Sequence, residues 1–351
     1  MFCQIRKTLI FLTTLFFYCN LQSVSAFADE DTLEQKVDQH LADINPEQFL
    51  TVTEENDKYG SGTDQNYTNG TRITWFDTQA KLPDATKRLV NAVPGFVVNQ
   101  TTSVYYSLGQ NMFTPQDKTR HNPDSKDRPY AGFLYASTGI TSLGGNHVDD
   151  IEATLGVVGP LSLAEQTQKI VHKIVDAPQP QGWDYQLKNE PGVILSWQRL
   201  WPEAEAVNAG GLRFRLAPYA GVTLGNVYTY GSSGIMFQIV PDKYQFQSSP
   251  LRVRPAIPGS GYFSVPNNKF AWSLFGGLEG RAVGRNIFLD GNTFADSRSV
   301  DKKYFVGDAN AGISFTYGRT QLSYTLNWRS EEFQGQDGGS LFGAISLGYR
   351  L

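Results

Sequence analysis

From Phe49 to the last residue the chain alternates apolar with small or polar positions at a period of two. In the final segment Leu341, Gly343, Ile345, Leu347, Tyr349 and Leu351 share one face, and Phe342, Ala344, Ser346, Gly348 and Arg350 share the other. Val104, Tyr106 and Leu108 repeat the pattern, as do Phe214, Leu216, Pro218 and Ala220, and then Ile313, Phe315 and Tyr317. Successive side chains of a strand point to opposite faces, so each run predicts a strand with one apolar and one polar face. The spacing predicts an all-β chain of about twelve strands, each near the ~10 residues of a tilted membrane span. They fall near 48–57, 67–77, 101–112, 129–141, 148–159, 191–201, 211–224, 227–238, 269–284, 304–317, 320–332 and 340–351. An apolar-out, polar-in strand that runs to the C-terminus suits a transmembrane antiparallel β-barrel read by the barrel assembly machinery. An even count puts both barrel ends on the periplasmic side, where the tight Gly318-Arg319 turn fits. The irregular, Pro-rich stretch 241–269 falls on that side too, as an unusually long connection.

One run breaks the alternation. Arg6 and Lys7 precede an apolar stretch from Thr8 to Cys19, and Val24-Ser25-Ala26 offers small residues for a signal peptidase. Residues 1–26 are therefore predicted to be a secretory signal peptide, and Phe17-Tyr18 before Cys19 disfavours lipidation. Residues 27–47 form a polar extension with Leu33, Val37 and Leu41 at helical spacing; a short amphipathic helix and a solvated tail both fit it. Residues 48–351 are the predicted barrel.

Composition narrows the function. Mean hydropathy is −0.33, and beyond the signal no apolar run approaches the ~20 residues of a membrane helix. Alternating strands escape that test. Cys3 and Cys19 both lie in the signal, so the mature chain would carry no disulfide and no thiol nucleophile. Loss of the signal removes two basic residues and no acidic ones, moving the net charge from −4 to −6. A chain this acidic makes no case for nucleic acid as a partner.

Three polar segments fit neither face of a barrel wall. They are Glu54-Glu55-Asn56-Asp57 with Asn66 to Gly70, Gln110 to Gly132, and Gly159 to Pro191. They follow the first, third and fifth strands, so the topology predicts that all three meet at one rim. In the third, Ser162 to Val175 reads as a short helix in an extracellular loop, with Gln168 and His172 four apart on one face. A histidine, an amide and a carboxylate in one pocket could activate water for ester hydrolysis. Carboxylate, amide and backbone oxygens also suit Ca²⁺ better than Zn²⁺. A lone helical histidine is nonetheless more often structural, and Asn69-Gly70 alone would be read as a turn.

These residues carry a resemblance. Glu55-Asn56-Asp57, Tyr67-Thr68-Asn69-Gly70, Asp127-Arg128-Pro129-Tyr130-Ala131-Gly132, Gly159-Pro160, Gln168-x-x-x-His172, Gly182-Trp183-Asp184-Tyr185-Gln186 and Asn189-Glu190-Pro191 stand in the order found in the lipid A 3′-O-deacylase (LpxR) family. The resemblance runs from about residue 48 to the C-terminus. It implies a Ca²⁺-dependent outer-membrane barrel that hydrolyses an acyl ester of lipid A in lipopolysaccharide, with its site at the outer-leaflet rim. By the same resemblance His172 is the catalytic base, and Gln168 the helix glutamine. Asn56, Asp57 and Thr68 match the cation and active-site residues, Asp57 either holding the cation or orienting the imidazole. The family's substrate-binding lysine corresponds to Arg120, or alternatively to Lys118. The extension before residue 48 departs from the family pattern. Two other readings stand beside this one: another outer-membrane lipid esterase or phospholipase with a Ser-His pair, and a non-enzymatic porin-like barrel. No Gly-x-Ser-x-Gly occurs in the chain, against a nucleophile-elbow hydrolase.

Overall fold

The computed structural model describes residues 48–351 apart from 63–64, 79–81, 83, 91–92, 243–251, 254, 257–258, 260–262 and 264–269; the predicted signal peptide and polar extension lie outside these residues. The strands are β1 (Gln48–Asn56), β2 (Asn66–Asp77), β3 (Ser103–Thr114), β4 (Ala131–Gly144), β5 (His147–Val158), β6 (Glu190–Leu200), β7 (Glu205–Ala209), β8 (Leu212–Gly225), β9 (Tyr228–Pro241), β10 (Phe270–Asn286), β11 (Phe305–Tyr317), β12 (Thr320–Arg329) and β13 (Ser340–Arg350). Neighbours pair antiparallel throughout. β6 passes over β7 to pair with β8, and β13 returns to β1 from Phe49↔Arg350 to Asn56↔Gly343. Twelve strands thus close a barrel, and β7 is an added outer strand held by β8 alone.

The faces are inverted relative to a soluble barrel. Leu155 in β5 is 65% exposed, whereas Arg72 in β2 is 1% exposed. Arg72 points into the lumen, where it meets Glu152 at 3.2 Å. Arg281 and Arg329 both pair with Asp308 inside, at 2.9 and 3.0 Å. Only a lipid surround makes this arrangement favourable, because apolar side chains then need no water and charges find partners within.

The connection after β9 behaves differently from its expected role as a periplasmic loop. Arg252 reaches into the lumen and pairs with Glu55 at 2.8 Å. Its neighbour Val253 is buried, Arg329 donates to the Pro255 carbonyl at 3.1 Å, and the Phe263 ring meets that of Phe49 at 5.1 Å. The described parts of this segment therefore fill the barrel. The physical reason is charge: Glu55 faces inward and needs a cation.

Three α-helices interrupt the strands among the described residues. α1 (Asp84–Val90) lies between β2 and β3, α2 (Ala164–Ile174) in the loop between β5 and β6, and α3 (Ile287–Asp290) after β10. α2 is the predicted loop helix, and it rests chiefly on β4 and β3.

Candidate active site at the outer rim

β1 ends in a cap. The Asn56 side chain accepts from the Lys58 backbone N–H at 2.9 Å and opens a 3-10 turn over Asp57–Tyr59. Asp57 is buried there, and its carboxylate accepts from the backbone N–H of Gln65. β2 carries a bulge between Tyr67 and Asn69, which turns neighbouring side chains to opposite uses. Tyr67 packs inward on Phe113 and Phe342, while the Thr68 hydroxyl meets that of Thr114 at 2.7 Å. Asn56 pairs with Asn69, so Asp57 and Thr68 are the next positions along two adjoining segments. Asn56 and Asp57 therefore lie at the end of β1, and Thr68 in the adjoining bulge of β2.

α2 is placed by its first turn. Gly159 takes φ 96°, Pro160 follows, and Leu163 is held at φ 60° before the helix begins. The Gln110 amide donates to the Ser162 carbonyl at 2.7 Å, tying the turn to β3. The seat on β4 is Gly132, where an added Cβ would lie 2.1 Å from the Ser162 hydroxyl and 2.3 Å from the Ala164 methyl. Ala164, Gln168 and His172 then form the buried face of the helix, four residues apart.

Both polar residues on that face are fixed by partners. Gln168 Oε1 accepts from the indole N–H of Trp183 at 2.8 Å, and Trp183 packs on Tyr130 with 4.9 Å between rings. His172 Nδ1 lies 2.6 Å from the carbonyl oxygen of Pro178. A carbonyl can only accept, so Nδ1 carries the proton. In the neutral ring Nε2 is then the basic nitrogen.

The second loop closes on the third. The Lys118 carbonyl accepts from the Gln181 N–H at 2.9 Å and from the Tyr130 hydroxyl at 3.2 Å. Lys118 is half-buried at this contact, whereas Arg120 is exposed between Asp117 at 3.6 Å and Asp124 at 3.9 Å. The Thr119 hydroxyl and N–H hold the Asp117 carboxyl below its usual range, which keeps it ionised beside Arg120. The Lys118 backbone is thus packed between the two loops, while the Arg120 side chain is exposed. Sequence reading missed three positioning groups: the Trp183 indole, the Gly132 seat and the Pro178 carbonyl. The first two lay inside motifs already noted; a backbone carbonyl carries no sequence signal.

Asn56, Asp57 and Thr68 offer only oxygen ligands to a cation. Among the described residues no three His, Cys, Asp or Glu side chains form a metal cluster. One carboxylate with an amide and a hydroxyl oxygen fits a hard cation such as Ca²⁺ and suits Zn²⁺ poorly.

A family model described as outer membrane protein LpxR matches residues 11–351. The chain belongs to the LpxR family. It is therefore an outer-membrane lipid A deacylase, as its motifs led us to expect. Among solved structures, LpxR from Salmonella typhimurium is similar at TM-score 0.69 and 20% identity, over 86% of this chain and 99% of that one. That likeness shows the same fold. The β-domain of the Bordetella autotransporter BrkA is far less similar, with TM-score 0.37 and 9% identity over 87% of this chain and 98% of that one. A search of curated protein sequences returns no match.

Proposed function

We propose that this LpxR-family chain removes the 3′-O-linked acyl chain of lipid A by direct attack of water, with His172 as general base. The observation that carries this reading is the pairing of His172 Nδ1 with the Pro178 carbonyl on the buried face of α2. It prepares Nε2 to take a proton from water as the oxygen adds to the acyl carbonyl. Collapse of the tetrahedral adduct then breaks the bond between the acyl carbon and the sugar oxygen, the acyl chain leaves as a free fatty acid, and the sugar oxygen takes the proton from His172. Gln168, held by Trp183, orients the groups at the reacting centre. Asn56, Asp57 and Thr68 would hold Ca²⁺, which when bound supplies positive charge for the developing oxyanion. Lys118, with Arg120 at the rim, would meet a lipid A phosphate. Lipopolysaccharide is the substrate in the membrane.

The rivals fare worse. A Ser-His hydrolase would need a serine beside His172, but Ser162 lies ten residues back, about 15 Å along a helical path, and sits at Gly132. A porin needs an open lumen, and this one is crossed by Arg72–Glu152 and Arg252–Glu55. Mass spectrometry of lipid A from cells with and without the protein tests the proposal. Loss of one ester-linked acyl chain at the 3′ position is the expected result; unchanged lipid A with phospholipid loss would reject it.

A further inference from the structure

The polarity of α2 is reversed. Its buried face carries Gln168 and His172, while Ile170, Val171 and Ile174 are exposed, Ile174 at 77%. At 100° per residue the exposed positions divide into two flanks. Ile170, Val171 and Ile174 lie on one, and Lys169 and Lys173 lie on the other, where Lys169 pairs with the half-buried Glu165. Leu163, just before the helix, is exposed and holds a left-handed backbone at φ 60°, which is costly for any residue with a Cβ. Leu161, in the turn before the helix, is exposed as well.

This flank continues an existing surface. The turn before α2 is fixed to Gln110, and the next outward residue down β3 is Leu108, 55% exposed. Two strand residues span about 7 Å, so the root of the helix lies directly above the lipid-facing belt that includes Tyr106, Leu155, Val193 and Leu195. Apolar residues on one flank and lysines on the other are the pattern of a helix lying in a membrane interface.

We infer that the apolar flank of α2 is seated among acyl chains of the outer leaflet, with Lys169 and Lys173 at the level of anionic headgroups. The helix covers the site from outside while its flank stays in lipid, so an acyl chain reaches His172 sideways from the leaflet. This last step rests on the proposed deacylase reading; the seating of the helix does not.

The test uses the whole protein in vesicles of lipopolysaccharide and phosphatidylethanolamine. Cys3 and Cys19 both precede residue 27, so a nitroxide on Ile174→Cys or Lys173→Cys is the single label of the processed chain. Collision with oxygen should dominate at 174, and collision with a neutral nickel chelate at 173. Equal nickel access at both positions would overturn the inference. So would exclusion of both reagents with spin coupling between labels, which would mark a second copy as the occupant. A second arm combines Ile170→Asp with Ile174→Asp. Deacylation of vesicle lipid A should fall about tenfold or more, with turnover in detergent micelles kept within about twofold, since only membrane seating is disturbed. Equal loss in both media would overturn it. Spin-label access needs no catalysis, so failure of the deacylase reading cannot be mistaken for failure of this one.

Discussion

His172 and Pro178 are joined by one hydrogen bond of 2.6 Å, from the imidazole Nδ1–H to the carbonyl oxygen. The bond settles which ring nitrogen is basic, and α2 keeps that ring on its buried face. Removal of a general base typically costs ~10²- to 10⁴-fold in rate. His172→Ala or His172→Asn should lose turnover on that scale while keeping heat-modifiable migration. His121 and His147 are controls: one is exposed near the Gln181 carbonyl, and the other lies 3.4 Å from Asp149 at the far end of the barrel. Their replacement should leave lipid A mass spectra unchanged. His40, a third control by sequence, lies outside the described residues.

Trp183→Phe isolates the second positioning contact. The ring keeps its place against Tyr130, but Gln168 Oε1 loses its donor in a buried setting. A buried acceptor left without its partner costs about 1–3 kcal/mol. Deacylation should fall while barrel migration is retained, and Trp183→Phe with Gln168→Ala should lose less than the two single losses combined.

Gly132→Val should separate the barrel from its loop helix. The added carbon meets Ser162 and Ala164 at the root of α2, and the alanine methyl cannot swing away. The helix must lift, so activity should disappear and the 159–189 loop should become open to limited proteolysis. Gly280→Ala is the control, since no atom lies within 4 Å of the added carbon. Normal turnover in the Gly132 variant would show that the seat is dispensable.

The strands were legible because burial of alternate residues is a local signal. The β13 pattern read from Leu341 to Leu351 is the one observed, with Phe342 inward and Leu347 outward. β7 was not legible, because all five residues of Glu205–Ala209 are exposed and give no contrast between faces. The entry of Arg252 into the lumen was hidden for another reason: its partner Glu55 is 197 positions away. At the candidate site the motifs singled out His172, Gln168, Asn56, Asp57 and Thr68, and the structure places the first two on one buried helix face.

The filled lumen makes its own prediction. Arg72 also donates to the Ser107 hydroxyl at 2.9 Å, so it links two strands to Glu152. Removing one member of a buried pair leaves an uncompensated charge, at a cost of about 3–5 kcal/mol. Arg72→Met should lower the temperature of the heat-modifiable transition, and Arg72→Met with Glu152→Leu should recover much of it. The parent protein in planar bilayers should conduct no steady current; porin-like conductance would contradict the filled interior.

The cation prediction turns on donor chemistry. Asn56, Asp57 and Thr68 bring one carboxylate, one amide and one hydroxyl to the end of β1 and the bulge of β2. A site with a single formal charge and neutral oxygens prefers a large, hard cation and binds it with modest affinity. EGTA should therefore stop deacylation, Ca²⁺ should restore it, and Zn²⁺ should not. Asp57→Asn removes the only charge of the set while nearly preserving its shape, so the Ca²⁺ concentration for half-maximal rate should rise steeply. Thr68→Val should raise it less, because a neutral donor is lost and the Thr114 hydroxyl remains beside it. Calcium binding is also readable without catalysis, by calorimetry on His172→Ala. Binding there with the parent affinity, together with lost turnover, would assign the cation to Asp57 and the proton to His172; full activity of the parent protein in EGTA would reject the cation altogether.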